Sequence, residues 1–322
     1  MIIQNTADTQ TPLLGPAPNR YTKRMKKALF LFNPHAGTGK IVSNIATITD
    51  TLTKAGYLVT VYPTQSKGDA TEKILMWGGY YDRIVVAGGD GMLHEAVNGV
   101  MNLTKPVDLA YIPSGTINDF ANSHKIPKDI ESAAIVAAGD SRKTIDVGLF
   151  GDTYFSYVAA FGAVTDVTYT TNQDAKNSFG FLAYLTNALK YVDLRKLMAS
   201  ARKMEIRSDR YVFTGEFVLG CISNSHSLGS LKQLVPDNVE LKDGLMEGLF
   251  VQKPTNIAHL GHIIDLLLSG NMDRPEILST RSGKYEIITE EDTAWTLDGE
   301  DGGIHHSVTI RDCKQRLTMI LP

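Results

Sequence analysis

The sequence predicts a protein of two domains: an α/β three-layer amino-terminal domain with a mostly parallel sheet, and a mainly antiparallel β-sandwich carboxyl-terminal domain. From residue 28, strand-like and helical runs alternate in the order ALFLFN, IVSNIATITDTLTKAG, YLVTVYPT, GDATEKILMWGG and RIVVAGG. Such alternation is typical of a parallel sheet covered by helices. After about residue 144, strand-like segments such as TYFSYVAAFG and YVFTGEFVLGCISN predominate, which favours antiparallel pairing.

Length, composition and charge limit the classes of function. The 322 residues suffice for two ordinary domains, and a hydrophobic content of 43% supports well-filled cores. A net charge of −3 provides no broad basic surface, so no nucleic-acid partner is expected. Cys221 and Cys313 lack metal-type spacing and favour a reducing compartment, which predicts a cytoplasmic protein. No apolar run approaches the roughly 18 residues that a membrane-spanning helix needs.

Changes in composition divide the chain into four segments. Residues 1–24 are polar, contain three prolines and lack periodicity, which predicts a flexible leader. The alternating region predicts a first domain over residues 25–144, and the strand-rich region predicts a second domain over residues 145–310. Residues 311–322 include the apolar RLTMILP, which predicts a strand that could return to the first domain.

The most informative segment is IVVAGGDGMLHEAVNGV, residues 84–100, where a buried strand pattern leads through glycines into a helical pattern. Glycines let backbone amides and the positive end of the following helix face an anion such as phosphate. Asp90 within this loop would repel phosphate unless it holds Mg²⁺ or takes part in proton movement. An ordinary tight turn is the structural alternative.

Two further polar loops follow apolar strands. NPHAGTGK, residues 33–40, could cradle an anion, but it does not meet the Walker spacing GxxxxGK[ST], and a plain helix start explains it equally well. PSGTINDFAN, residues 113–122, could bond a ribose or base, although helix capping is the safer interpretation. Open α/β sheets bind ligands at the carboxyl ends of their strands, so these loops are expected to converge on one crevice.

Two acidic turns lie in the second half of the chain. In TLDGEDGG, residues 296–303, Asp298 and Glu300 are two positions apart, so in an extended segment both would face one side. Such a pair suits a general base with an orienting partner, whereas a hairpin turn with solvated acids is the plainer alternative. VPDNVELKDGLMEGLF, residues 235–250, could hold Mg²⁺ or Ca²⁺, or form a simple acidic β-turn.

Taken in this order, the four motifs resemble the diacylglycerol kinase catalytic family, especially its soluble bacterial lipid kinases, and more distantly the sphingosine and ceramide kinases. The similarity runs from about residue 27 to the end. It implies ATP bound between the two domains and transfer of its γ-phosphoryl group to a lipid hydroxyl, most of all that of diacylglycerol. It also implies Mg²⁺, a lipid substrate at the membrane surface, and transient peripheral binding at the inner membrane face; a homodimer is left open.

The resemblance also implies a set of site residues. The catalytic residues would be Glu300, Asp298 and Asp90. A structural Mg²⁺ would be held by Glu240, Asp243 and the carbonyl of Leu245. The nucleotide would be lined by Asn33, Pro34, His35, Ala36, Gly37, Thr64, Gly88, Gly89, Asp90, Gly91, Met92, Leu93, His94, Glu95 and Thr116.

Two positions depart from the family pattern. Met92 stands where Thr is usual, and Ala36 stands where Ser is common. Each lost neutral hydrogen bond would cost about 1 kcal/mol, which leaves nucleotide binding intact but could change nucleotide preference. Two alternatives stay open: an NAD kinase-like or other small-molecule kinase, and a nucleotide-dependent lipid-binding regulatory module without turnover.

Overall fold

The computed structural model describes residues 24–35, 39–116, 118–162, 193–223, 244–271 and 274–322. The predicted leader therefore lies outside the described residues, apart from Arg24. The helices are α1 Lys40–Lys54, α2 Asp69–Trp77, α3 Asp90–Met101, α4 Asp119–Ser123, α5 Ile130–Ala138, α6 Leu194–Ala199 and α7 Ile257–Ser269. The strands are β1 Lys26–Phe32, β2 Tyr57–Pro63, β3 Arg83–Gly88, β4 Asp108–Pro113, β5 Arg142–Phe150, β6 Thr153–Phe155, β7 Val158–Gly162, β8 Arg202–Ser208, β9 Val212–Ser223, β10 Met246–Gln252, β11 Ile277–Ser282, β12 Lys284–Leu297 and β13 Glu300–Ile320.

The amino-terminal strands pair in parallel in the order β2-β1-β3-β4. Their register places Phe32 opposite Ala87, and Gly88 opposite Pro113. β1 and β3 are rich in apolar residues and almost wholly buried, as expected of strands covered by helices on both faces. Around them α1 packs against α5, and α2 packs against α3. The carboxyl ends of these strands, with their polar loops, therefore lie along one edge.

The remaining strands pair antiparallel, in the order β11-β10-β9-β7-β12-β13, with β8 between β9 and β12 and with β5 beside β13. The two sheet-rich halves are confirmed, and antiparallel pairs outnumber parallel ones over the described residues. The strands of both halves belong to one hydrogen-bonded sheet, so the predicted sandwich is built from a single curled sheet. Phe250 on β10 reaches Tyr285 on β12, with ring centroids 6.3 Å apart. The curl encloses an aromatic core that includes Phe161 and Trp295.

Strand β13 joins the two halves. It pairs first with β12 and then with β5, both antiparallel. At its end Met319 and Ile320 run parallel to Leu109 and Ala110 of β4, so the carboxyl terminus adds a strand to the amino-terminal sheet. Glu300, the first residue of β13, lies near the glycine loops. Within the described ranges, no helix is both long enough and apolar enough to cross a membrane.

Candidate active site at the carboxyl edge of the parallel strands

The predicted loops meet at one edge of the sheet. Asn33 N donates to the Ala87 carbonyl at 3.1 Å, and Ser114 N donates to the Gly88 carbonyl at 2.8 Å. Thr64, which is buried, donates from its backbone nitrogen to the Phe32 carbonyl at 2.9 Å. Backbone hydrogen bonds thus join the described residues at the ends of four neighbouring strands, and these residues hold defined positions before any ligand binds.

Glycines are required where the second and third loops touch. A Cβ on Gly115 would lie 2.5 Å from Gly89 Cα, closer than any side chain permits. Asn118 adopts a left-handed conformation with φ 54° and fixes the third loop. Its Oδ1 accepts from Gly115 N at 2.9 Å, and its Nδ2 donates to the Gly115 carbonyl at 2.7 Å. The glycines therefore serve close packing between two loops as well as access for a ligand.

Several residues predicted to line the nucleotide have side chains that point elsewhere. Met92 and Leu93 are buried in the amino-terminal core, where Met92 covers Gly88. Both Glu95 carboxylate oxygens bind backbone amides at the start of α2, Gly68 N at 2.8 Å and Ala70 N at 3.1 Å. Only the backbone of residues 92 and 93 is left to face a ligand, and the Glu95 side chain joins α3 to α2.

The other predicted nucleotide-lining residues are only partly described. Asn33 Oδ1 accepts from His35 N at 2.8 Å and braces the first turn, which also contains Pro34. Thr116 is exposed at the third loop. Ala36 and Gly37 lie outside the described residues, as do the predicted metal ligands Glu240 and Asp243. Leu245, the third predicted metal ligand, is described and 36% exposed.

Asp90 is the first residue of α3, and its Oδ1 is buried without a hydrogen-bond partner in the described part of the chain. Burial raises the pKa of this carboxyl to about 6, and the negative charge of Asp119 adds to the rise. Ser114 Oγ, at the neighbouring loop, is also buried without a partner among the described residues. Buried polar atoms are normally satisfied, so two orphaned oxygens at one edge indicate a place where a polar ligand completes the structure.

The orphaned carboxylate oxygen fits a divalent cation. No group of three or more His, Cys, Asp or Glu side chains suited to a metal occurs within the described residues. Mg²⁺ does not need such a group, because it is commonly held by one or two carboxylates together with substrate phosphates and water. Asp90 is therefore a suitable donor for a cation that arrives with a phosphorylated ligand.

Asp298 is buried and fully engaged. Its oxygens accept from Ser156 N at 2.8 Å, Tyr157 N at 2.8 Å and Val158 N at 3.0 Å. Ser156 Oγ and His94 Nδ1 also contact it, at 3.1 and 3.2 Å. With its side chain 5% exposed, Asp298 fastens the β12–β13 turn to the residues before β7 and to α3. Its carboxylate oxygens have little capacity left to accept a further hydrogen bond.

Glu300 borders the second glycine loop. Its Oε1 would lie 2.5 Å from a Cβ at Gly91, so the carboxylate sits directly against that glycine. Its Oε2 accepts from Lys67 Nζ at 2.6 Å, and the side chain is 32% exposed. The segment around Asp298 and Glu300 is not extended; it forms the hairpin turn that was the alternative. Asp298 (φ 53°) and Gly299 (φ 87°) form a left-handed turn, and the two carboxylates meet different partners.

His94, on α3, faces the acidic turn that contains Asp298 and Glu300. Its Nδ1 contacts Asp298, and its Nε2 is 3.4 Å from Asn98 Nδ2. Burial opposes protonation of His94, but the hydrogen bond to Asp298 and the charges of Asp298 and Glu300 outweigh it, so the pKa of His94 is raised. An imidazolium here would partly neutralise the acidic turn.

Two contacts of this region were not predicted from the sequence. Asn98 bonds Tyr154 on β6 twice, through Nδ2 to the carbonyl and through Oδ1 from the amide, both at 2.8 Å. Lys67 contacts Glu300 across 233 positions of sequence. An asparagine in a helix and a lysine in a turn carry no local signal of such contacts.

Comparisons with known proteins agree with the arrangement. A family model described as "Diacylglycerol kinase catalytic domain" matches residues 27–150. A diacylglycerol kinase of Staphylococcus carnosus (strain TM300) is 33% identical over 283 residues, which is 86% of this chain and 90% of the relative. One from Staphylococcus aureus (strain MRSA252) is 34% identical over 281 residues, covering 86% and 87%.

Solved structures share the fold of this chain. A structure from Bacillus anthracis str. Sterne has a TM-score of 0.77 at 26% identity, covering 92% of this chain and 97% of that chain. A second structure from that organism, named a diacylglycerol kinase, has a TM-score of 0.70 at 24% identity, covering 93% and 98%. With its glycine loops, its acidic turn and relatives that align over most of their length, this chain belongs to the diacylglycerol kinase family.

Proposed function

We propose that this protein is an ATP-dependent lipid kinase that transfers the γ-phosphoryl group to a lipid hydroxyl, with diacylglycerol as the acceptor and phosphatidic acid as the product. One observation carries the proposal. Glu300, a carboxylate from the second half of the chain, lies against Gly91 in the glycine loop of the first half. An acid that touches a phosphate loop without pairing fully with the surrounding protein suits a base that acts beside a phosphoryl group.

The glycine loops would bind the triphosphate of ATP. Gly88 and Gly89 directly precede α3, which begins at Asp90. The amino-terminal end of α3 directs amide groups and a positive dipole toward an anion. Phosphoryl transfer depends mostly on alignment and charge neutralisation, so a rigid loop of this kind supplies much of what the reaction needs.

Mg²⁺, when bound with the nucleotide, would neutralise phosphate charge during transfer. The residue that would hold it is Asp90, through the oxygen that otherwise lacks a partner. Asp119 is close enough for its charge to raise the pKa of Asp90, so the two carboxylates together favour a cation.

Glu300 is the better candidate for the general base, and Asp298 for the residue that positions it. Glu300 is one-third exposed and accepts from a flexible lysine, whereas Asp298 is buried and accepts from three backbone amides. In the reaction the lipid oxygen forms a bond to the γ-phosphorus, and the bond from that phosphorus to the β,γ-bridging oxygen breaks. The electron pair leaves with ADP, and the hydroxyl proton passes to Glu300.

The acceptor is tested by offering several hydroxyl compounds in parallel. The purified protein is incubated with Mg²⁺, ATP labelled in the γ-phosphate, and diacylglycerol, sphingosine or undecaprenol in mixed vesicles, or NAD in solution. Phosphatidic acid as the main product, identified by mass spectrometry, is the expected result. Phosphorylated NAD would favour the small-molecule kinase, and ATP binding without product from a total lipid extract would favour the regulatory module. Either outcome overturns the proposal.

A pair of matched variants tests the base. Glu300→Gln should lower kcat by about 10²–10⁴-fold, the usual contribution of a general base, with little change in the Kd for ATP. Glu290→Gln is the control, because Glu290 also accepts from a lysine, Lys203 Nζ, at 2.6 Å, on strands β12 and β8. If Glu300→Gln kept the kcat of the control variant, another group would have to take the hydroxyl proton.

A membrane-surface substrate predicts that turnover depends on the vesicle. At fixed bulk diacylglycerol, dilution of this lipid with inert phospholipid should lower the rate, because the enzyme meets its acceptor only at the surface. A rate set by bulk concentration alone would argue against interfacial action. This measurement also tests the expected transient attachment to the inner membrane face.

A further inference from the structure

Lys67 makes an ion pair with Glu300 at the candidate site. It lies in the loop between β2 and α2, and its Nζ is 2.6 Å from Glu300 Oε2. The lysine side chain is 74% exposed, whereas Glu300 is 32% exposed. The other Glu300 oxygen lies against Gly91, so the ammonium group is held at the border between the glycine loop and the proposed base.

The backbone that carries Lys67 is fixed on both sides. Gln65 N donates to Asp69 Oδ2 at 2.7 Å, and Gly68 N donates to Glu95 Oε1 at 2.8 Å. Gly68 has φ 86°, a conformation that glycine adopts without strain. The position of the Lys67 backbone is therefore set by side chains of α2 and α3, while its long side chain is free to change partner.

Lys67 is cationic under all ordinary conditions. The hydrogen bond to Glu300 is the largest cause of its raised pKa, and the charge of Glu300 acts in the same direction. An ammonium group has three donors, so contact with one carboxylate oxygen leaves others for a second anion. A triphosphate bound at Gly88–Gly91 would bring such an anion to the side of the glycine loop that Glu300 touches.

We propose that Lys67 binds the terminal phosphate of ATP, exchanging its contact with Glu300 for one with the γ-phosphate. The inference rests on the proposed function and adds a residue to it. In the free protein Lys67 holds Glu300 in place, and in the ATP complex it neutralises the phosphoryl group and leaves Glu300 able to accept the hydroxyl proton. The bonds made and broken are those of the reaction above, and Lys67 keeps its proton throughout.

The ion pair between Lys67 and Glu300 is of a kind that can be replaced by a contact between Lys67 and the γ-phosphate. Exposed ion pairs contribute little to stability, so giving one up is easily offset by a doubly charged phosphate. Lysine is a flexible point charge, whereas arginine offers a rigid fork that would bind the Glu300 carboxylate through two hydrogen bonds. A lysine therefore leaves the base more readily than an arginine would.

The test measures ATP and ADP affinity in the same variants. The Kd values of both nucleotides are measured by titration calorimetry with Mg²⁺ in the unmodified protein and in Lys67→Met, Lys67→Arg and Lys203→Met. Lys67→Met should weaken ATP binding by about tenfold and leave ADP binding unchanged, because only ATP has the γ-phosphate; Lys67→Arg should restore only part of this loss, because it keeps the charge but holds Glu300 more tightly. Lys203→Met, which removes the ion pair with Glu290, should change neither Kd. An unchanged ratio of ATP to ADP affinity in Lys67→Met overturns the inference.

Turnover gives a second readout. Lys67→Met should lower kcat for phosphoryl transfer by about 10–100-fold, since a charge near the transferring group is lost. A purely structural role would instead lower the melting temperature, which we expect to remain at the value of Lys203→Met. A fall in melting temperature with intact nucleotide discrimination would assign Lys67 to stability and refute the proposal.

The two proposals fail in different ways. If the unmodified protein binds ATP but phosphorylates no lipid, the lipid kinase function fails, while the affinity ratio still decides the role of Lys67. If lipid phosphorylation is observed and Lys67→Met matches the control in kcat and in both Kd values, only the inference about Lys67 fails. If ATP does not bind, both are wrong.

Discussion

The two ends of the parallel strands differ in whether their buried charged groups have hydrogen-bond partners. At the amino end, Arg83 is fully buried and donates to the carbonyls of Ala137 and Gly139 at 2.8 and 2.7 Å. It also pairs with Asp108 at 3.3 Å, and Arg142 pairs with the same carboxylate at 2.9 Å. At the carboxyl end, Asp90 has a buried oxygen with no partner within the described ranges. Among the residues that the structure describes, Arg83 thus has partners for its terminal nitrogens and lacks one only at Nε, whereas Asp90 Oδ1 has none.

This difference indicates that the charged residues at the amino end stabilise the fold, whereas Asp90 at the carboxyl end serves ligand binding. A buried charge is tolerated when hydrogen bonds and opposite charge compensate for lost water, as they do for Arg83. Backbone amides of Asn118 and Asp119 compensate Asp90 only in part, and a carboxylate with a partnerless buried oxygen costs stability and is retained where a ligand completes it. Substitutions at the amino end should therefore lower the free energy of unfolding and spare turnover, while removal of the Asp90 charge at the carboxyl end should lower turnover and raise the free energy of unfolding.

Asp90→Asn provides the largest contrast. Loss of the carboxylate that would hold the cation should lower kcat by about 10²–10³-fold. The same change should raise the free energy of unfolding at pH 7.5 by on the order of 1–3 kcal/mol without ligand, because a carboxyl with a pKa of about 6 is buried in its charged form. The measurements are kinetics and urea unfolding in EDTA. Lower stability with unchanged turnover would contradict the contrast.

The sign of the pH dependence sharpens this prediction. The folded pKa of Asp90 is raised above the ordinary value of 3.8, so the cost of the charge is full above about pH 6 and absent below about pH 4. The stability difference between Asp90→Asn and the unmodified protein should therefore shrink as the pH falls from 7 to 4. A constant difference over this range would mean that the gain does not come from the charge.

Arg83→Met tests the amino end. It removes two hydrogen bonds to carbonyls and one partner of Asp108, which should lower the free energy of unfolding by about 3 kcal/mol. At a temperature well below melting, kcat should change by less than about twofold, because Arg83 lies at the opposite end of β3 from Gly88. A large loss of kcat in the folded variant would break the proposed separation.

Asp298→Asn tests a residue that contributes both to stability and to turnover. An amide has one acceptor oxygen in place of two, so the amides of Ser156, Tyr157 and Val158 compete for it, and stability should fall by about 2 kcal/mol. Turnover should fall as well, since the turn that positions Glu300 loosens. Nucleotide affinity should stay near its normal value. Unaltered stability would show that the hydrogen bonds around Asp298 contribute less than their number suggests.

His94→Gln should have a smaller, pH-dependent effect. Because the folded pKa of His94 is raised, its stabilising contact with Asp298 is present below the ordinary value of 6.5 and is lost as the pH rises through the folded value. The variant should therefore lose about 1 kcal/mol of stability at pH 6 and less at pH 9, as measured by urea unfolding. A loss that grows with pH would reverse the assigned sign.

Arg142→Ala is expected to have the smallest effect. Its side chain is 50% exposed, and Asp108 keeps its pairing with Arg83. An exposed ion pair contributes about 0–1 kcal/mol, so the melting temperature should change little and kcat should not change. An effect as large as that of Arg83→Met would mean that the two arginines act as one network.

The candidate site could be predicted from the sequence where its functional residues are consecutive. Gly88 to Gly91 span the end of a buried strand and the start of a helix, and both elements could be identified from periodicity. The direction of individual side chains was not predictable, because Met92 and Leu93 turn into the core and Glu95 turns toward α2. These directions depend on which helix packs beside α3, and that is a property of the assembled domain.

The sequence by itself determined the order of strands and helices in the first half, the strand-rich second half, the glycine loops and the acidic turn, because periodicity and turn chemistry act over a few neighbouring residues. Only the tertiary structure decided that β13 carries Glu300 to Gly91, that Asp298 is saturated by backbone amides, and that Lys67 meets Glu300 across 233 positions. Contacts between residues so far apart arise from the burial of whole strands and helices, and no short segment contains the information that fixes them.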